Sequence, residues 1–382
     1  MSLSSEFLSS FFNLSDPRRL GHNQQHNLND ILAISILATI CGADNWVEME
    51  EFAISKEDWL RSFLSLPNGI PSHDTFARVF AALDSAMFER CFIDWVKTIR
   101  LPGRDIIAID GKTSCASHNK HKGINALHMV SAWAVDNRLC LGQVKTAEKS
   151  NEIEAIPRLL NMLDVEGSIV TTDAMGCQKD IAATIKNKGA DYVLTLKDNQ
   201  PNLCNSVKNV FELGDITTFE GMHYRKQIEK IRGNRNRGEH GRVETRKYTL
   251  VTAKDGHAFG LRWPGLISLG RLDVTRTIKS KDVTRSTRYF LTSLSYQQMD
   301  DFMKAARKHW EVEINLHWSL DVSFADDLNR TRNGNAPENL SIIKRIALNL
   351  LKHEKTTKTG ITAKRKKAGW NNKFLTQIIK NL

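Results

Sequence analysis

Three acids in this chain have surroundings that suit catalysis. Asp110 closes the apolar run Ile106-Ile107-Ala108-Ile109, and Asp173 closes a second run, Ile169-Val170-Thr171-Thr172. Glu313 lies far downstream, within His309-Trp310-Glu311-Val312-Glu313-Ile314-Asn315-Leu316-His317-Trp318. Two carboxylates at strand positions and a third delivered by a late helix can build a cage for two divalent cations. Such cages hold their ions about 3.5–4 Å apart and cleave or join phosphodiesters by in-line displacement. Each acid also has a plainer reading. Asp110 before Gly111, and Asp173 before Ala174-Met175-Gly176, can be ordinary turn aspartates. Glu313 can be a buried hydrogen-bond partner of His309 or His317.

The elements that must position these acids follow from the hydrophobic period. Residues 1–100 read as a helical N-terminal domain: a helix over Ile31–Ala43 with Gly42 near its end, then Trp46–Ile54, then Trp59–Leu64. Pro67-Asn68-Gly69-Ile70-Pro71 breaks the pattern, and Ser72 is a good N-cap for a helix through Leu83. Short helices with tight breaks suit helix-turn-helix packing, which presents a helix to a DNA groove, and suit a plain bundle equally well.

From about Arg104 the period changes to that of strands, at Ile106–Asp110, Met129–Val135 and Leu139–Lys145, with Asp136-Asn137 as a turn. A helix over Asn151–Leu163, a strand over Ser168–Asp173, a helix over Lys179–Lys188 and a strand over Tyr192–Leu196 complete a mixed α/β order. That order matches a ribonuclease H-like catalytic core, assigned to residues 101–204 and 294–350. Residues 205–293 read as an inserted β-rich subdomain with strands at Tyr248–Thr252, Leu272–Lys279 and Arg288–Ser293. Residues 351–382, with Lys364-Arg365-Lys366-Lys367, read as a basic C-terminal tail.

Helical geometry chooses between two glutamates. A helix from Gln297 to about His317 opens on the capping box Ser295…Gln298. At about 100° per residue, Glu311 shares a face with Lys304, Arg307, Lys308 and Asn315, where Arg307 can pair with it. Glu313 falls with Ala306, His309, Trp310 and His317, on the bulky side, where a carboxylate needs a cation or a hydrogen bond. Glu313 is therefore preferred as the ligand. Asp321, Asp326 and Asp327 remain rivals.

Composition narrows the partner. Lysine and arginine number 54 against 43 acids, a formal net charge of +11, which favours a polyanion. Within Tyr224–Lys247, Arg232, Arg235, Arg237 and Arg242 are candidates for DNA phosphates. Lys112 and Lys197, just beyond strand ends, are candidates too, or else simply solvated. The six cysteines are scattered without a C-x-x-C pair, so neither a disulfide framework nor a zinc site is expected. Met1–Glu6 does not read as a signal peptide. The longest apolar stretch, Ile31–Ala43, is too short to span a bilayer and reads as a core helix. A cytoplasmic, nucleoid-associated protein without a membrane partner is expected.

Several longer motifs carry a family resemblance. Ala108-Ile-Asp-Gly-Lys112, Thr172-Asp-Ala-Met-Gly176, Tyr192-Val-Leu-Thr-Leu-Lys-Asp-Asn-Gln200 and His309–Trp318 resemble the DDE transposases of bacterial insertion sequences. The nearest resemblance is to the H-repeat-associated transposases. Gly69-Ile-Pro-Ser-His-Asp-Thr-Phe76, His240-Gly-Arg-Val-Glu-Thr-Arg246 and Ala336-Pro-Glu-Asn-Leu340 extend it over nearly the whole chain. The resemblance implies Asp110, Asp173 and Glu313 as catalytic, metal-binding residues. It implies two Mg²⁺ ions, with Mn²⁺ as a substitute. It also implies double-stranded DNA as partner, both the terminal inverted repeats of an element and target DNA, and a homo-oligomer on that DNA. The broader class often carries Tyr-Arg-Glu-Lys around the glutamate. Here Ala306, His309 and Leu320 stand at the tyrosine, arginine and lysine positions, leaving Arg307, His309 and His317 as candidate replacements. Trp263 offers either a surface for an extruded base or an ordinary core tryptophan. A different ribonuclease H-like nuclease, or a catalytically inactive DNA-binding derivative, are the competing functions.

Overall fold

The computed structural model describes residues 9–11, 13–18, 24–118, 123, 125–146, 151–233, 242–253, 263–278 and 282–380. The α-helices α1 (Leu28–Cys41), α2 (Trp46–Ser55), α3 (Glu57–Arg61), α4 (His73–Ala82) and α5 (Ser85–Ile99) come first. Strands β1 (Ile106–Ser114), β2 (Leu127–Ala134) and β3 (Leu139–Thr146) lead to α6 (Glu152–Met162). Then β4 (Ile169–Thr172), α7 (Lys179–Asn187), β5 (Asp191–Leu196) and α8 (Pro201–Thr217) alternate. Longer strands follow: β6 (Tyr224–Arg232), β7 (Arg242–Thr252), β8 (Ser268–Ile278) and β9 (Asp282–Thr292). After α9 (Met299–Lys308), a π-helical turn at Glu313–His317 runs into α10 (Trp318–Phe324). The chain continues through α11 (Ala336–His353), α12 (Ile361–Trp370) and α13 (Asn372–Lys380).

The residues gather into two compact units. One contains Met1–Pro102, Asp110–Leu163 and Glu311–Leu382; the other contains Gly103–Ile109 and Asp164–Trp310. This differs from the four-part division expected from sequence, because the N-terminal and C-terminal helices share one core.

In the first unit the central element is α11, buried without a break from Asn339 to Leu351. It packs against α1, α4, α5 and β3. A helix enclosed on all sides calls for partners for its polar side chains, and Asn339 and Asn349 find theirs in backbone groups of neighbouring elements. The Asn339 amide donates to Phe80 O and Leu83 O, at the end of α4. Asn349 brackets Cys140, accepting from its N–H at 2.8 Å and donating to its carbonyl at 2.9 Å. Cys140 pairs with Trp133 just past the place where the β2–β3 ladder shifts register, so a side chain from α11 covers backbone groups at the irregularity. Helix α1 is likewise a buried core helix, as expected. Its Ser35 and Thr39 hydroxyls donate back to the carbonyls of Ile31 and Ser35.

The expected basic tail is folded. Arg365 is buried and donates to Thr39 O and to the Asp44 carboxylate, while Lys364 pairs with buried Glu354 at 3.0 Å. The run Lys364–Lys367 alone hides this, because its partners come from α1 and from the loop after α11. Among the described residues no single helix is long and apolar enough to cross a bilayer.

In the second unit β1 pairs in parallel with β4, ending at Ile109↔Thr172, and β4 pairs in parallel with β5. Strand β9 joins antiparallel to β5, and β8, β7 and β6 follow in antiparallel order. The β-rich segment therefore extends the sheet. Strand β6 escaped the sequence reading because it is an edge strand with a largely charged, exposed sequence, Tyr-Arg-Lys-Gln-Ile-Glu-Lys-Ile-Arg. Charge on an edge blunts pairing with other chains. Helix α8, where no helix was expected, is anchored by buried Leu203, Cys204, Val207 and Phe211.

On β7, Glu244 is buried against Arg246 at 2.7 Å, Arg242 at 2.9 Å and Arg276 at 3.2 Å. Burial alone would raise its pKa, but the guanidinium groups outweigh that and hold it at about 2. A depressed carboxylate contributes stability above its unfolded pKa, near 4.5, and loses that contribution as pH falls toward about 2. Urea unfolding across this acid range should show that decline in the wild type. Glu244→Gln should be less stable near neutrality and show a shallower decline. Parallel wild-type and variant curves would remove Glu244 as the cause.

Candidate metal centre

Strand β1 carries Asp110 out of a buried stretch: Ile106–Ile109 are enclosed and Asp110 is half-buried. The partner element is the π turn, in which the Trp318 N–H reaches back five residues to Glu313 O. Such wide turns recur at functional sites because they re-aim side chains within an otherwise regular helix. Here the turn sets Glu313 and His317 side by side. His317 Nδ1 lies 3.5 Å from Glu313 Oε2 and 3.6 Å from Asp110 Oδ2. The donor atoms of Asp110, Glu313 and His317 all lie within 4.8 Å of one another.

These distances are long for strong hydrogen bonds. They suit donors converging on one cation, since ligands bound at about 2.0–2.6 Å lie no more than roughly 4–5 Å apart. Two carboxylates held this close repel each other, and a divalent ion offsets that repulsion. The buried imidazole supplies the third donor, so the residues present fit a divalent cation. Glu313 is 45% exposed at its side chain, which corrects the expectation that it sits on a packed face.

Asp173 belongs to the second unit. Its Oδ1 accepts from the backbone N–H groups of Met175 at 3.0 Å and Gly176 at 3.3 Å, so one oxygen closes the turn after β4. Asp173 directly follows Thr172, and Asp110 directly follows Ile109, the residue that pairs with Thr172.

Several expected roles change. The late helix is not straight: α9 ends at Lys308, and the path to Glu313 is not the continuous α-helix assumed. Arg307 pairs with Glu229 at 2.7 Å, not with Glu311, whose carboxylate is approached by the Asn315 amide at 3.5 Å. His309 Nδ1 lies 2.9 Å from the hydroxyl of buried Thr171 on β4, which engages that nitrogen within the fold. His317 faces the two acids.

Lys112 does not sit in solvent. It is buried, with its ammonium 2.7 Å from Asp321, 2.9 Å from Asp327 and 4.0 Å from Asp326. Burial would lower its pKa, but these carboxylates outweigh burial and raise it. Asp326 is buried too. Lys344, Arg345 and Lys112 overcome that burial and hold its carboxyl far below the usual range. Asp321, Asp326 and Asp327, the rival ligands, thus engage Lys112, and Asp326 also Lys344. Lys197 is exposed beyond β5, Arg232 is exposed at the end of β6, and Arg242 is tied to Glu244. Arg235 and Arg237 lie outside the described residues. Trp263 is buried, as a core tryptophan.

One group escaped the sequence reading. His128 Nε2 lies 2.8 Å from Glu152 Oε1, and Thr113 Oγ1 lies 2.7 Å from His128 Nδ1, with His128 and Glu152 both buried. Their separation in sequence gave no signal. Gly111, directly after Asp110, is the nearest trace: a Cβ there would come 2.7 Å from His128 Nε2 and from Glu152 Cδ. Gly111→Ala should therefore force the pair aside and lower stability by about 1–3 kcal/mol. Denaturant unfolding checks this, and an unchanged midpoint would show that the pair yields without cost.

Comparison with known proteins agrees with the motifs. Residues 99–350 match the family model described as transposase DDE domain, and residues 8–96 match the one described as DDE_Tnp_1-associated. YncI, a candidate transposase of Escherichia coli O157:H7, is 41% identical over 364 residues, covering 93% of this chain and 90% of YncI. YhhI, an H repeat-associated candidate transposase of Escherichia coli strain K12, is 39% identical over 360 residues, covering 93% of each chain. Among solved structures, a piggyBac transposase synaptic complex with hairpin DNA aligns with a TM-score of 0.38 at 12% identity, covering 99% of this chain and 77% of that one. A score that low supports no further argument.

Proposed function

Because the chain belongs to the transposase DDE family, we propose that it is a DNA transposase that binds the ends of its element and carries out metal-dependent strand cleavage and transfer. The observation that carries this reading is the convergence of Asp110, Glu313 and His317 donor atoms within 4.8 Å. Asp173 is the remaining acid of the set, and its motif Thr172-Asp-Ala-Met-Gly176, within the matched family domain, supports its inclusion. The parallel strands β1, β4 and β5 and the antiparallel β2–β3 pair support a ribonuclease H-like core.

In this reading Asp110, Asp173 and Glu313 hold two divalent ions, Mg²⁺ by preference and Mn²⁺ as a substitute, and His317 orients or completes the set. When bound, the ions stabilise the charge on the attacking and leaving oxygens of an in-line displacement. The chain's own contribution is to fix the carboxylates and hold the phosphodiester beside them. Arg225, Lys226, Lys230 and Arg232 on the exposed edge strand β6, together with Lys197, contact the DNA backbone. The active species is a homo-oligomer on DNA, and the protein is cytoplasmic and nucleoid-associated.

A duplex carrying the inverted repeats that bound the coding sequence is the substrate that tests this. Glu313→Gln, Asp110→Asn and Asp173→Asn should each reduce cleavage by at least about 100-fold. Gel-shift affinity should stay close to wild type, and Glu311→Gln should keep most activity. A dead Glu311→Gln beside an active Glu313→Gln would overturn the assignment. Nicking without joining of 3′ ends to a target would point to a nuclease. Wild-type binding without any cleavage would point to an inactive derivative.

A further inference from the structure

We propose that Lys112 is a positioning residue, an internal ionic staple that sets the distance between Asp110 and the Glu313–His317 turn; this rests on the metal-centre reading above. Asp110 and Lys112 are two residues apart on β1 and so share one face of the strand. From that face Lys112 reaches Asp321, one helical turn beyond His317 and two beyond Glu313. Strand β1 and the π turn–α10 segment are thus joined at two levels. The upper level is the cluster of Asp110, Glu313 and His317. The lower is the pair of Lys112 and Asp321.

Further bonds make the lower level rigid. Ala325 takes a left-handed conformation, φ +48°, that few residues other than glycine adopt, and it ends α10. Asp326 and Asp327 follow and contact β1 again. Asp327 accepts from the Cys115 N–H at 3.3 Å and lies 2.9 Å from Lys112. Asp326 accepts from the Ser114 hydroxyl at 2.9 Å, and its other oxygen lies 3.0 Å from buried Lys344 on α11. Three carboxylates and two ammonium groups therefore tie three segments together, with Lys112, Lys344 and Asp326 buried and Asp321 and Asp327 partly open to solvent. Apolar side chains could hold these segments at no greater cost. What an ion cluster adds is a fixed register, because the Lys112–Asp321 ion pair and the hydrogen bonds of Asp326 and Asp327 can all be made together at one spacing only.

A staple of this kind predicts a specific separation of effects. Lys112 touches neither the ion nor DNA, so its loss should weaken metal binding without changing DNA affinity. Mn²⁺ binding to the DNA-free full chain can be read from the electron paramagnetic resonance signal of free Mn²⁺, alongside thermal unfolding and gel shift. Lys112→Met removes the staple, and Asp321→Asn weakens it with little change of volume at a position one-third exposed, which protects the test against a misfolded first variant. Both should bind Mn²⁺ about tenfold more weakly, the scale seen when a supporting partner of a metal ligand is lost. DNA affinity should stay within about twofold of wild type.

Wild-type Mn²⁺ affinity in folded Asp321→Asn would overturn the proposal and leave the cluster merely structural. Unchanged Mn²⁺ affinity with weaker DNA binding in Lys112→Met would make Lys112 a phosphate contact and overturn it as well. Asp110→Asn is the control for the reading beneath it: if that variant binds Mn²⁺ as wild type does, the metal centre itself is misassigned and the staple falls with it.

Discussion

Two carboxylates cannot be held a few ångströms apart unless the fold keeps them there and something positive offsets their repulsion. Much of the first unit can be understood from that constraint. Asp110 stands on a strand whose preceding four residues are enclosed. Glu313 stands on a π turn that interrupts its helix, with His317 brought between the two acids. The supports are themselves supported, because Lys112, Ser114 and Cys115 bind the segment after the turn, and Lys344 reaches that segment from α11. Helix α11 is buried without a break from Asn339 to Leu351, so the register reaches the acids from a fully enclosed element of the unit.

The second unit meets a different demand. Its sheet runs outward from β5 through β9, β8 and β7 to β6, and the outermost strand is largely charged and exposed. Near β5 the sheet is held by an aromatic core in which Phe302 packs edge-on against Tyr248 and Phe290. Farther out the strands have little apolar cover, and ion pairs such as those of Glu244 take over. A charged rim of this kind resists edge-to-edge association. The same side chains suit a polyanion.

What could be read in the sequence was whatever is local. An apolar run that stops at an acid marks the end of a buried stretch, and this picked out Asp110 and Asp173 from a few residues each, although β1 runs on past Asp110 to Ser114. The strand and helix order through residue 196 was legible for the same reason, except that α5 (Ser85–Ile99) was not read as an element of its own. Glu313 lies close to Asp110 and His317, but the route to it was faulty: a straight α-helix was assumed, whereas α9 stops at Lys308 and a π turn does the aiming. Arg307 shows the error, since its partner is Glu229 and not Glu311. Contacts between distant residues were not legible at all. Lys112 read as a phosphate contact or a solvated lysine, whereas Asp321 and Asp327 come round to it, and the pairing of Glu152 with His128 gave no signal. The basic run at Lys364 read as a tail for a similar reason, because α1 and the loop after α11 supply its partners.

The central claim is that a divalent ion sits against Asp110, Asp173 and Glu313. Iron-directed cleavage of the backbone tests it most directly. Fe²⁺ bound in place of the native ion, with ascorbate and peroxide, generates hydroxyl radicals that cut the chain only nearby. The account predicts cuts beside residues 110, 173 and 313, suppressed by excess Mg²⁺ and absent from Asp110→Asn. Cuts confined to the Asp321–Asp327 segment, or a pattern unaffected by Asp110→Asn, would contradict it.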